Sequence, residues 1–121
     1  DMAIMSDVLE HIGQPQKAIN NVNKLLVEGG YLLIDTGDVG GFGARLAGAK
    51  TPFLQDEGHI IGYSHQSLLS LLRRGRFGIV SLYSEKEVFA EKPEHVPLFQ
   101  KTKRMLNSSP NIIIVARKIT D

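Results

Sequence analysis

Four short apolar runs and two amphipathic stretches organise the chain. Met2-Ala3-Ile4-Met5 is apolar at every position, then turns polar at Ser6-Asp7. A run without a polar face suits a strand in the middle of a parallel sheet, with helices covering both sides. After Pro15, a residue favoured in a first helical turn, Ala18, Ile19, Val22, Leu25 and Leu26 recur at helical spacing. Lys17, Asn20, Asn21, Asn23 and Lys24 lie largely off that stripe. Gly29-Gly30 is expected to end the helix, because glycine accepts the left-handed conformation that follows a helix. Tyr31-Leu32-Leu33-Ile34 is the second buried run and ends in Asp35-Thr36. Strand, helix and strand over this distance predict one βαβ unit with a right-handed crossover.

Residues 37–64 are irregular and rich in glycine, with Ala44-Arg45-Leu46-Ala47 as one short helical candidate. A long connection at the carboxyl end of a strand commonly carries function as a lid or substrate loop. Ser64 is the expected N-cap of a helix that turns Leu68, Leu69, Leu71 and Leu72 inward. Arg73, Arg74 and Arg76 gather at its C-terminal end, where cations favour the helix dipole. A third strand is expected over Phe77–Tyr83. Pro93 and Pro97 argue against one continuous helix between Glu85 and Leu106, although residues 98–106 read as helical. Asn107–Asn111 is a turn cluster, and Ile112-Ile113-Ile114-Val115-Ala116 is a strand.

Composition narrows the function classes. With 121 residues the chain is long enough for one small domain with a real core. The formal net charge of +1 gives no electrostatic case for nucleic acid or an anionic membrane. Arg73-Arg74-Arg76 and Lys101-Lys103-Arg104 read as solvated faces, since no interleaved aromatics suggest base stacking. No apolar run reaches membrane-spanning length. Cysteine is absent, which removes disulfides and thiolate chemistry and fits a cytoplasmic protein. The chain opens inside its first apolar run, and we read it as part of a longer domain.

In open α/β sheets the ligand sits beyond the carboxyl ends of the strands. Ser6, Asp7, Glu10 and His11 fall at the end of the first run, and Asp35 and Thr36 at the end of the second. Gly40-Gly41-Phe42-Gly43 lacks the Gly-Lys-Ser/Thr ending of a nucleotide loop and reads as a lid hinge. His65 and His95 suggest no partner.

The order of these pieces resembles the C-terminal half of a class I S-adenosylmethionine-dependent methyltransferase. Asp1–His11 is similar to the family's fourth strand and its Leu-Glu-His. Leu25–Ile34 resembles its Leu, Pro-Gly-Gly and fifth strand, with Glu28 standing where the family has Pro. Gly58-His59, Tyr63-Ser64 and Ser67-Leu68 resemble its His–aromatic–Ser stretch. Arg76-Phe77 stands where it has Gly-Phe and the sixth strand, and Ile112–Arg117 would be the antiparallel seventh. Where relatives with this loop often carry Trp before Pro52, this chain has Thr51. The implied architecture is a partial Rossmann-like α/β sheet in the order fourth, fifth, seventh, sixth, spanning residues 1–121. The family's glycine-rich first turn and its ribose-gripping acidic residue are not in this sequence, so this piece alone is expected to bind the cofactor poorly and to be inactive.

The resemblance implies methyl transfer from S-adenosylmethionine to a small-molecule acceptor through oxygen or nitrogen. It places Ser6, Asp7, Val8 and His11 along the methionine end of the cofactor, although Asp7 alternatively only caps the following turn. Asp35, Thr36 and Tyr63 would border the acceptor. His59 would remove its proton, or else would only anchor the long loop. In relatives acting on quinone precursors a divalent ion is held in the segment of Asp7, Glu10 and His11; here we expect Glu10 and His11 to fix the loop by hydrogen bonds, and no metal is assigned. Two rivals remain at this stage. One is half of a nicotinamide-dependent Rossmann dehydrogenase; the other is a non-catalytic module that pairs through its exposed first strand.

Overall fold

The computed structural model describes residues 1–84 and 111–120. Strand β1 (Met2–Ser6) leads through a 3-10 turn at Leu9–His11 into helix α1 (Pro15–Leu25), then strand β2 (Tyr31–Gly37). Two short helices, α2 (Phe42–Ala47) and α3 (Pro52–Gln55), lie in the long connection. Helix α4 (His65–Arg74) and the strands β3 (Phe77–Ser84) and β4 (Asn111–Lys118) complete the described fold. The expected helix at 98–106, His95, the basic group at 101–104 and most of the turn cluster lie outside the described residues.

The four strands form one sheet in the order β1-β2-β4-β3. β1 pairs with β2 in parallel, while β4 runs antiparallel to both of its neighbours. This is the order expected from the sequence, with β4 inserted between β2 and β3. Leu32 and Ile34 of β2, Ile112 and Ile114 of β4, and Phe77 of β3 are fully buried beneath Ile19 of α1 and Leu68 and Leu72 of α4. Ser64 caps α4 as expected: its Oγ accepts from the Ser67 amide, and the Ser67 hydroxyl accepts from the Ser64 amide. The reciprocal pair satisfies donors that a helix start otherwise leaves open.

Three expectations change. Both helices α1 and α4 join the same core, so among the described residues helices cover one face of the sheet only. Met2 and Ile4 of β1 are 56% and 65% exposed on the other face, where the sequence suggested burial on both sides. Leu25 is 82% exposed, because it lies about 120° around α1 from Ile19, while Leu26 returns to within about 20° of it. Gly29 does adopt a positive φ of 73°, but in a turn beyond the helix end, closed by the Gly30 amide donating to Val27 O at 2.9 Å. Gly29 is the third residue of that turn, where positive φ is required, and Glu28 takes the second, where proline is common. That explains a Pro-Gly-Gly pattern at this place. Arg76 likewise has φ 64° between α4 and β3, a position that glycine fills without steric cost.

Candidate functional site

The parallel pairing of β1 and β2 ends with Ser6 opposite Asp35, so the two polar tips stand side by side. Ser6 Oγ donates to Asp35 Oδ2 at 3.4 Å, and Asn111 Nδ2, from the start of β4, donates to Asp35 Oδ1 at 3.3 Å. The chain leaves β1 through Asp7, whose φ of 50° is tolerated by a short polar side chain. Its amide donates to Asp35 O at 3.0 Å, so backbone as well as side chains tie the tips together. Ser6, Asp7 and Val8 are exposed there.

Side chains alternate along β2, so Thr36 points to the opposite face from Asp35. The Leu9–His11 turn places Glu10 beneath it, 1% exposed, where Thr36 Oγ1 donates to Glu10 Oε2 at 3.0 Å. Glu10 O accepts from the amides of Ile60 and Ile61 at 3.0 and 3.2 Å, which pins the long loop onto the turn. The loop thereby brings His59 to His11, with ring centroids 4.8 Å apart and planes tilted by 55°.

Each imidazole is oriented by a backbone carbonyl. His11 Nδ1 lies 2.6 Å from Gly58 O, and His59 Nδ1 lies 2.7 Å from Phe53 O. A carbonyl only accepts, so both Nδ1 atoms carry a proton and donate it, which in the neutral tautomer puts the lone pair on Nε2. The Phe53 ring stacks on His59 at 4.2 Å with a 28° interplanar angle. Phe53 also presses against Gly37, where a Cβ would collide with its ring, so the strand end must lack a side chain there. Asp56 Oδ2 stands 3.9 Å from His59 Nε2, while its Oδ1 accepts from the Gly58 amide at 2.8 Å and shapes the turn. One donor atom from each of Glu10, His11 and His59 lies within 4.8 Å of the others.

The structure therefore gathers Ser6, Asp7, Asp35, His11 and His59 at the carboxyl end of the sheet. It does not leave Thr36 and Tyr63 facing an acceptor. Thr36 is wholly buried with its hydroxyl given to Glu10. Tyr63 is 4% exposed, and its hydroxyl donates to Leu9 O at 3.4 Å. Burial, together with the nearby Glu10 charge, pushes the Tyr63 phenol up from 10.0 to about 12. Both residues position the Glu10 turn from behind. Thr51, at the place of the family's Trp, is buried with its hydroxyl donating to Gly48 O at 2.8 Å. Phe53 supplies an aromatic surface instead. Its place after Pro52, a helix-starting residue, was the only signal for it. Asp38, buried at the β2 exit, lies 3.5 Å from His65 Nδ1, a pairing to which no local sequence pattern points. A shallow hollow near Gly29, Val80, Arg117 and Ile119 lies at the opposite end of β2 from these tips.

Comparison with known proteins adds to this geometry. Residues 1–82 match the model of a family described as a methyltransferase domain. A SAM-dependent methyltransferase from Thermotoga maritima superposes with a TM-score of 0.65 at 17% identity, covering 98% of this chain and 56% of that one. A SAM-dependent methyltransferase from Archaeoglobus fulgidus gives 0.64 at 15% identity, over 98% of this chain and 59% of that one. The [4+2]-cyclase SpnF gives 0.57 at 19% identity, over 99% of this chain and 49% of that one. The chain thus spans 49% to 59% of the length of these structures. At such identities the likeness concerns the fold, and it bears out the Rossmann-like methyltransferase sheet expected from the sequence. No curated protein sequence matches this chain.

Proposed function

We propose that this chain, which belongs to the methyltransferase-domain family, forms the acceptor side of a site for methyl transfer from S-adenosylmethionine to a small molecule. That cofactor supplies an electrophilic methyl group, so the protein's own task is mainly to align the acceptor and manage its proton. Ser6, Asp7, Val8 and His11 form one border for the cofactor. Their fit is that of a single wall: the first three are exposed at the β1 tip, but the connection 7–14 holds one glycine, Gly13, and no glycine-rich cradle. Asp35, held between Ser6 and Asn111, borders the acceptor at the tip of β2. Phe53 gives the acceptor an apolar surface next to His59.

His59 Nε2 takes the proton of an oxygen or nitrogen acceptor. The observation that carries this role is the Nδ1–H to Phe53 O hydrogen bond, which fixes the tautomer and puts the lone pair on Nε2, 3.9 Å from the Asp56 carboxylate. An imidazole so oriented is the usual general base near neutral pH.

The test uses the protein at its full natural length, with methyl-labelled S-adenosylmethionine and a panel of small phenols, amines and sugars. His59→Gln is expected to lower kcat by about 10²- to 10⁴-fold for an acceptor that must lose a proton, with cofactor affinity by calorimetry unchanged. A kcat equal to that of the native protein refutes the base role, and no methyl transfer to any acceptor refutes the function.

A further inference from the structure

We propose that Glu10, His11 and His59 form a binding site for one divalent transition-metal ion, with two nitrogen donors and one oxygen donor. The inference stands on the geometry of the three side chains and does not depend on methyl transfer.

Glu10 and His11 come from the turn after β1, and His59 from a loop far along the chain. The Ile60 and Ile61 amides on Glu10 O, and His11 on Gly58 O, hold the two segments together. One donor atom from each residue lies within 4.8 Å of the others. Metal bonds of about 2.0–2.2 Å bring donors to roughly 3–4 Å from one another, so the site closes with ring movements of about an ångström. His11 is exposed and His59 partly exposed, so an ion can approach both rings from solvent.

Two further features point to a cation. Metal-binding histidines almost always give their other ring N–H to a carbonyl or carboxylate, which sets the tautomer and strengthens the donor nitrogen. Both His11 and His59 do so, to Gly58 O and Phe53 O. The third donor is a carboxylate that is 1% exposed, and among the described residues no lysine or arginine pairs with it. A buried carboxylate is costly without an opposite charge. Thr36 orients it through one hydrogen bond, and a cation facing its remaining lone pairs would supply that charge.

Asp7 takes no part in this trio. Two imidazoles and one carboxylate suit Zn²⁺, Co²⁺, Ni²⁺ or Fe²⁺, whereas Mg²⁺ and Ca²⁺ prefer all-oxygen sites. Three protein ligands leave coordination positions open to water or to acceptor oxygens. The ion and a transferring proton compete for the same His59 lone pair.

The test is visible absorption of the protein titrated with Co²⁺ alone. The expected result is a ligand-field band that saturates at one equivalent, is displaced by Zn²⁺ and resists an excess of Mg²⁺. His11→Gln and His59→Gln each abolish the band while far-ultraviolet circular dichroism stays native, and His65→Gln keeps it. Thr36→Val, which frees the Glu10 carboxylate from its orienting hydroxyl, weakens Co²⁺ affinity by about 10- to 100-fold. No band with one equivalent of Co²⁺, a band that survives both glutamine variants, or displacement by Mg²⁺ overturns the proposal. Each readout is independent of methyl transfer, so either proposal can fail alone.

Discussion

The Thr36–Glu10 hydrogen bond connects the core of the sheet to the candidate site, and removing it tests whether that connection is real. Thr36→Val keeps the branched shape on β2 and deletes only the hydroxyl that donates to Glu10 Oε2 at 3.0 Å. Both groups are buried, at 0% and 1% exposure, so water does not replace the lost donor. A hydrogen bond to a charged group contributes about 1.5–3 kcal/mol, and a buried carboxylate deprived of its partner falls in the same range. The expected loss is therefore about 2 kcal/mol of unfolding free energy, or roughly 8 °C in Tm for a domain of this size. Thr36→Ser is the control. It keeps the hydroxyl and deletes one buried methyl, a loss of about 1 kcal/mol. Urea unfolding followed by circular dichroism separates the two, because the slope with denaturant stays constant when only stability changes. The expected order of stability is native, serine, valine. A valine variant as stable as the native chain, or more stable than the serine variant, would mean that packing and not the hydrogen bond holds this point.

Two other outcomes follow from the same geometry. Gly37→Ala would place a methyl group against the Phe53 ring, so α3 should shift and the contact of Phe53 with His59 should be lost, at a cost of about 1–3 kcal/mol; nuclear Overhauser contacts between the two rings that remain intact would contradict this. Tyr63 keeps its proton to about pH 12 in the folded chain against 10.0 when unfolded, so its contribution is whole below pH 10 and stability falls by roughly 2–3 kcal/mol as the pH rises from 10 to 12. Tyr63→Phe should flatten that fall and remove the step near pH 12 from the tyrosinate absorbance titration; a titration that still shows the step assigns it to another group.

Much of the fold was legible because local patterns and the final core agree. The runs at Tyr31–Ile34 and Ile112–Ala116 became central strands, since their neighbours on both sides are supplied by this chain. Ser64 announced α4 because capping is a local hydrogen-bond problem. The reading failed where burial is decided at a distance. Met2 and Ile4 look like any buried run, but what lies over each face of β1 depends on where α1 and α4 pack. Thr36 and Asp35 are adjacent letters, and only the phase of β2 against the core sends one inward to Glu10 and the other to the tips.

By itself the sequence determined the βαβ unit and the polar character of the strand tips, because these follow from periodicity, turn chemistry and the rule that ligands meet the carboxyl ends of parallel strands; the insertion of an antiparallel strand was implied only by the family resemblance. Only the tertiary structure decided that His59 meets His11 over Glu10, with Phe53 behind it and Tyr63 sealed inside. Apart from the Phe53–His59 stack, those contacts join residues separated by some fifty positions through hydrogen bonds to backbone carbonyls. A carbonyl offers the same acceptor whatever side chain follows it, so bonds of that kind leave no trace in the order of amino acids.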